Sequence, residues 1–190
     1  MNLPNLITTL RLVLIIPFVY LMQRAGHSTP DGIVMGTSAW LAAAIFAVAS
    51  YSDWLDGWLA RSRGLVTKLG QFLDPLADKL LIGSAMVTLV AYRRFPLWAA
   101  LVIGVREVLI SILRSMALKR GRDMPATLPG KIKTAFQVPM VLVWLLPRRG
   151  ALVIVQDVSV YLSVILTLVS GVMYAAKTSK LLSRDAKAGH

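Results

Sequence analysis

The chain has 190 residues, a formal net charge of +12, 56% hydrophobic residues and only 16% charged ones. Soluble domains average about 45–50% apolar and about 25% charged residues. A soluble nucleic-acid binder, which carries its basic residues on a polar surface, is therefore excluded, and so is a disordered chain, which needs low hydrophobicity.

What remains is a polytopic membrane protein whose positive charge lies at a lipid surface, with membrane lipids as partners and no nucleic acid. A helix that crosses hydrocarbon needs about 20 mostly apolar residues. Six segments approach that length, over residues 6–22, 33–51, 75–92, 97–118, 132–146 and 151–175. Ahead of the first, Leu3, Leu6, Ile7 and Leu10 recur at helical spacing, and Pro4 suits a first turn. This stretch reads as a short interfacial helix or as a polar lead-in to the first span. The second segment is rich in Ala and can continue as helix past the membrane surface. Polar breaks separate the others, and residues 177–190 form a polar tail. The expected architecture is all-α and integral to the membrane: one domain over residues 1–190, with six transmembrane helices and a short N-terminal interfacial helix.

The basic residues orient it. With both ends on one side, Arg24, Arg93, Arg94, Arg148 and Arg149 fall on the far side and Arg106 lies within a span, while the remaining fifteen Lys and Arg fall on the side of the termini. That bias places both termini on the cytoplasmic face of the inner membrane. The paired arginines of the far side read as headgroup contacts. Trp40, Trp54, Trp58, Trp98 and Trp144 read as belt residues.

The absence of Cys excludes disulfides, iron–sulfur clusters and thiolate catalysis. His27 and His190 lie far apart, which argues against a multi-histidine metal site. The nine acids are more informative, because Asp53, Asp56, Asp74 and Asp78 crowd into one short stretch. At about 100° per helical residue, Asp53 and Asp56 differ by about 60° and Asp74 and Asp78 by about 40°. Two helices would each show two carboxylates on one stripe across a short cytoplasmic loop. Like charges so close raise one another's pKa, and divalent cations resolve the repulsion. Oxygen-only ligands favour Mg²⁺ or Mn²⁺. Four carboxylates can hold two ions, an arrangement suited to phosphoryl chemistry. Gly57 and Gly70 would let a phosphate or nucleotide approach the helix backbone, and Arg61 could clamp a phosphate oxygen. The alternative is a solvated charge network of these acids with Arg61, Arg63, Lys68 and Lys79.

The residues Asp53, Asp56, Gly57, Ala60, Arg61, Gly70, Asp74 and Asp78 fill the pattern D-x-x-D-G-x-x-A-R-x₈-G-x-x-x-D-x-x-x-D without a departure. This is the signature of the CDP-alcohol phosphatidyltransferases, which the chain resembles along its length. The opening Pro4–Arg11 stretch, Arg106-Glu107 and Gly130–Thr134 look like the bacterial phosphatidylglycerophosphate synthase branch. The resemblance implies transfer of a phosphatidyl group from CDP-diacylglycerol to glycerol 3-phosphate with release of CMP, by a homodimer. It implies Asp53, Asp56, Asp74 and Asp78 as metal ligands, with Asp78 also the general base on the acceptor hydroxyl. Gly57, Ala60 and Arg61 would line the nucleotide, with Asp53 and Gly70 beside them and Asn5 and Thr8 at its border.

A phosphorylated acceptor requires cations. Arg106 and Arg114 lie about 80° apart on a helix, and Lys131 and Lys133 open the next span. An intramembrane Arg is costly and commonly functional. Two structural alternatives stand beside this role: a Glu107–Arg114 pair on one helix face, and Lys131 as an orientation anchor. Competing functions are the same chemistry on inositol phosphate, serine or phosphatidylglycerol, and an ion or solute transporter with an acidic pathway. Against transport, the four aspartates cluster at one membrane face.

Overall fold

The computed structural model describes the backbone of residues 3–25, 37–63, 68–119 and 128–188, and the side chains of residues 6–25, 37–52, 76–117 and 132–178. Among these residues the protein is all-helical. The helices are α1 (Leu3–Ala25), α2 (Thr37–Arg63), α3 (Lys68–Ala91), α4 (Leu97–Lys119), α5 (Leu128–Leu145) and α6 (Ala151–Ala188). Leu6–Ala25 and Ala151–Thr178 are long and apolar enough to cross a membrane, and Thr37–Ser52 and Ile132–Leu145 are apolar but shorter. Charges interrupt the apolar runs of α3 and α4: Asp74, Asp78 and Lys79 in the first, Arg106, Glu107 and Arg114 in the second.

One expectation about the elements changes. The N-terminal stretch forms no separate interfacial helix, because α1 runs unbroken from Leu3 through Pro17 to Ala25. The backbone of the polar tail continues α6 to Ala188. Another expectation is found as stated: α2 continues past its apolar part to Arg63.

The chain divides into two compact units. The first comprises residues 1–96 and 138–156, and here α1 packs against α2 and α3. On α2, Ala39, Ala42, Ala43, Phe46 and Ala49 form a buried stripe at helical spacing. Small residues in such a stripe let helix backbones approach closely. Phe46 meets Phe18 of α1 with ring centroids 5.7 Å apart. Thr8 and Arg11, one turn apart on α1, are buried as completely as Phe18.

The outward faces are also apolar: Ile16, Val48, Val87 and Ile154 are all exposed. A helix apolar on every side is suited to lipid rather than to water.

Two turns close this unit. At the end of α3, the Arg93 N–H donates to the Val90 carbonyl at 2.9 Å and the Arg94 N–H to the Leu89 carbonyl at 2.8 Å. Arg93 sits in the left-handed region at φ 54°. This is the Schellman ending, which normally takes Gly at the left-handed position and an apolar side chain next. Here Arg94 occupies the apolar place. It is 6% exposed, and none of its three guanidinium nitrogens has a hydrogen-bond partner among the described residues. Burial pushes its pKa below the ordinary arginine value. The expectation of two equivalent headgroup contacts therefore fails for Arg94, while Arg93 is exposed.

In the α5–α6 turn, the Trp144 indole donates to the Gln156 carbonyl at 3.1 Å. The Gln156 amide in turn donates to the Val143 and Leu146 carbonyls at 3.0 and 3.2 Å. Those carbonyls lie at the α5 C-terminus, where intrahelical partners run out. Trp144 is buried and meets Phe95 edge-on at 5.0 Å, so it is a core residue rather than a belt residue. Trp40 and Trp98 are exposed, as a belt requires. Trp54 and Trp58 lie outside the described side chains.

The second unit comprises residues 97–137 and 157–190. Its α6 face buries Ser163, Thr167, Ser170, Tyr174 and Thr178. Spacings of three and four residues put these hydroxyls on one stripe of a helix whose membrane-length part is predominantly apolar.

Candidate active site

The two halves of the aspartate pattern lie on consecutive helices. Asp53, Asp56, Gly57, Ala60 and Arg61 are on α2; Gly70, Asp74 and Asp78 are on α3. The helical spacing assumed for each carboxylate pair is thus present in the backbone, and α2 packs against α3. The side chains of Asn5, Asp53, Asp56, Ala60, Arg61, Asp74 and Lys131, with Gly57 and Gly70, lie outside those the structure describes. Of the proposed metal and nucleotide residues, Thr8 and Asp78 are described. Thr8 is buried on α1, and Asp78 is half-buried on α3. Among the described residues no three His, Cys, Asp or Glu gather into a metal-binding group.

The second unit brings together two of the four proposed acceptor residues. Glu107 on α4 is their common centre. Its carboxylate accepts from the Arg106 guanidinium at 3.0 Å and from the Lys133 ammonium on α5. Arg106 also donates to the Ser170 hydroxyl on α6 at 2.9 Å. The Ser170 hydroxyl itself donates to the Thr167 carbonyl at 3.1 Å, so both its donor and an acceptor site are used. Lys133 is buried, with 4% of its side chain exposed, against 28% for Glu107. A lysine that deep requires a paired carboxylate.

Glu107 therefore does not form the alternative pair with Arg114. Arg114 lies exposed two turns further along α4.

Among the described residues, two positive groups and one negative give this cluster a net positive charge. Arg106 has five N–H donors, and its Nε is buried without a partner among the described residues. Gln137 Nε2, Thr167 Oγ1 and Tyr174 Oη of the same unit are also buried and unpartnered among the described residues. Buried polar atoms are ordinarily satisfied by a neighbouring side chain, a water or a ligand. Beside Arg106, an apolar groove of about 660 Å³ runs along α4 and α6, lined by Leu101, Val105, Leu109, Leu113, Leu168 and Val172.

Sequence reasoning missed Glu107 as the centre of this cluster and missed Ser170 altogether. The signal available for Ser170 was the spacing of hydroxyls along α6, a polar stripe in a predominantly apolar span.

The family model for CDP-alcohol phosphatidyltransferase matches residues 1–169. A relative from Mycobacterium tuberculosis (strain H37Rv), named probable phosphatidylglycerophosphate synthase, is 38% identical over 177 residues, which is 93% of this chain and 81% of the relative. One from Bacillus subtilis (strain 168), named CDP-diacylglycerol–glycerol-3-phosphate 3-phosphatidyltransferase, is 36% identical over 193 residues, covering 95% of this chain and 97% of the relative. One from Escherichia coli (strain K12) with the same name is 35% identical over 179 residues, covering 91% and 92%. With the eight-residue aspartate signature complete on α2 and α3, the chain belongs to the CDP-alcohol phosphatidyltransferase family.

Proposed function

We propose that the protein transfers the phosphatidyl group of CDP-diacylglycerol to glycerol 3-phosphate, giving phosphatidylglycerophosphate and CMP. The cluster of Arg106, Glu107 and Lys133 carries the choice of acceptor, because its net positive charge suits a phosphorylated alcohol. The names of relatives that align over most of their length support the same acceptor.

In this reading an oxygen of the glycerol 3-phosphate hydroxyl bonds to the phosphatidyl phosphorus. The pyrophosphate P–O bond breaks, and CMP leaves with the electron pair. The hydroxyl proton passes to the Asp78 carboxylate. Arg106 and Lys133 hold the acceptor phosphate, with Arg114 at its exposed side and Lys131 beside Lys133 in sequence. The Arg61 guanidinium and the bare backbone at Gly57 and Gly70 hold the nucleotide phosphates, with Asn5, Thr8 and Ala60 at the border.

The donor set of Asp53, Asp56, Asp74 and Asp78 is all-oxygen and lies on two packed helices, which fits hard divalent cations. Those four residues would hold Mg²⁺ or Mn²⁺, in two sites. Bound there, the ions supply charge neutralisation for the pyrophosphate and the departing CMP.

The six-span arrangement with both termini and the site at the cytoplasmic face belongs to the same proposal. The exposed apolar faces of the helices and the bias of basic residues support it. Homodimer formation is part of it too, and rests on the family resemblance.

An acceptor panel tests the assignment. Purified protein in detergent is given CDP-diacylglycerol with glycerol 3-phosphate, inositol phosphate, serine or phosphatidylglycerol, and CMP release is measured. Release is expected with glycerol 3-phosphate. A preference for serine or another unphosphorylated acceptor removes the role given to Arg106 and Lys133.

A further inference from the structure

We propose that α6 sets the acceptor subsite from behind: Ser170 and Gly171 are positioning residues that fix the Arg106 guanidinium for the acceptor phosphate. This rests on the reading of Arg106 as an acceptor-binding residue and extends it to a helix that carries none of the signature residues.

The geometry has three parts. Ser170 is fully buried and accepts from Arg106 Nη2 at 2.9 Å. Its own proton is committed to the Thr167 carbonyl, so the lone pair offered to Arg106 has a fixed direction. Glu107 holds the other terminal nitrogen, Nη1, at 3.0 Å. Two terminal nitrogens anchored by residues from two helices define the plane of the guanidinium, and a planar fork recognises a phosphate only in a matching plane.

Gly171 supplies the third part. A Cβ built at this position would lie 3.3 Å from Arg106 Cγ and 3.5 Å from Arg106 Nε. The Arg106 stem therefore lies across α6 where the helix has no side chain. Alanine there would require a shift of a few tenths of an ångström, and a branched side chain would take the space of the stem itself. Gly83, Gly104 and Gly150 have nothing within 4 Å of such a Cβ, so among the described glycines the close approach is particular to Gly171.

A residue that merely ties helices together would have no need of Arg106 in one orientation. Anchoring both terminal nitrogens while Nε stays buried and unpartnered among the described residues leaves donor capacity on a group that is already oriented. A flexible arginine must be ordered on each binding event, whereas an oriented one is not. The consequence falls on acceptor binding and not on the CDP-lipid.

The test uses the full chain in detergent, with KM measured separately for glycerol 3-phosphate and CDP-diacylglycerol, alongside the thermal midpoint. Ser170→Ala removes a hydrogen bond to a charged group and is expected to raise KM for glycerol 3-phosphate roughly tenfold. Ser170→Thr keeps the hydroxyl and is expected to restore most of it. Gly171→Val is expected to raise the same KM at least as far, with Gly171→Ala between it and the parent. In each, KM for CDP-diacylglycerol stays near the parent value, and in the Ser170 and Gly171→Ala variants the thermal midpoint falls by no more than a few degrees. Arg106→Gln is the reference and is expected to raise the acceptor KM by about 30-fold or more.

If Arg106→Gln raises the acceptor KM while Ser170→Ala and Gly171→Val leave it unchanged, the positioning role is wrong and the acceptor assignment stands. If Arg106→Gln itself leaves that KM unchanged, the acceptor assignment fails and the inference with it. If the α6 variants lower the thermal midpoint and weaken both substrates together, α6 serves only to hold the helices. Should Gly171→Val fail to fold, Gly171→Ala and Ser170→Ala carry the same comparison.

Discussion

Glu107 is the carboxylate that accepts from both Arg106 and Lys133, and Glu107→Gln tests that arrangement directly. The substitution keeps the size and removes the charge. Lys133, with 4% of its side chain exposed, is then a buried ammonium that has lost this counter-charge. Removing one partner of a buried pair costs about 3–5 kcal/mol. Glu107 is 28% exposed, so water screens part of the interaction, and a loss of about 2–3 kcal/mol is expected. For a chain of this length each kcal/mol shifts the thermal midpoint by about 2–4 °C, which predicts a fall of roughly 4–12 °C.

The assay is thermal unfolding in detergent followed by tryptophan fluorescence. The double variant Glu107→Gln with Lys133→Met separates the buried charge from the lost contact. Methionine replaces the ammonium with an apolar side chain of similar length, so most of the loss should return. A single variant as stable as the parent, or a double variant no better than the single, refutes the reasoning: Lys133 would not then depend on Glu107.

Three further outcomes are expected. Chelation with EDTA abolishes CMP release and added Mg²⁺ or Mn²⁺ restores it; release that persists in chelator counts against the four-aspartate site. Asp78→Asn lowers kcat by about 100-fold or more, the scale of general-base catalysis, with the acceptor KM little changed; unaltered turnover removes Asp78 as the base. Arg94→Met raises the thermal midpoint or leaves it unchanged, because it replaces a buried guanidinium, unpartnered among the described residues, with an apolar side chain. A clear fall in the midpoint would show that Arg94 has a partner in the folded protein.

Legibility in the sequence differed between the aspartate signature and the charge cluster around Glu107. The aspartate signature is local: each pair lies within one helix, so residue spacing alone assigns its face. The helices α2 and α3 were found where that spacing required them. The charge cluster around Glu107 is not local. Arg106 and Glu107 are adjacent, yet Lys133 comes from α5 and Ser170 from α6. Helical angles on α4 suggested Arg114 as the partner of Glu107, because such angles describe one helix and contain no information about the neighbour facing it. The arginines after α3 show the same limit. Composition made Arg93 and Arg94 equivalent, whereas the left-handed turn at Arg93 separates an exposed side chain from a buried one.

The sequence by itself determined the helical class, the apolar character of the helices and the family. These follow from composition, from periodicity and from fixed spacings within single helices. Tertiary structure decided which charges meet. It paired Glu107 with Lys133 across helices, moved Trp144 into the core, and laid Arg106 over the bare backbone of Gly171. The physical reason is that a buried charge must find its counter-charge wherever packing places one, and packing joins residues that are distant along the chain.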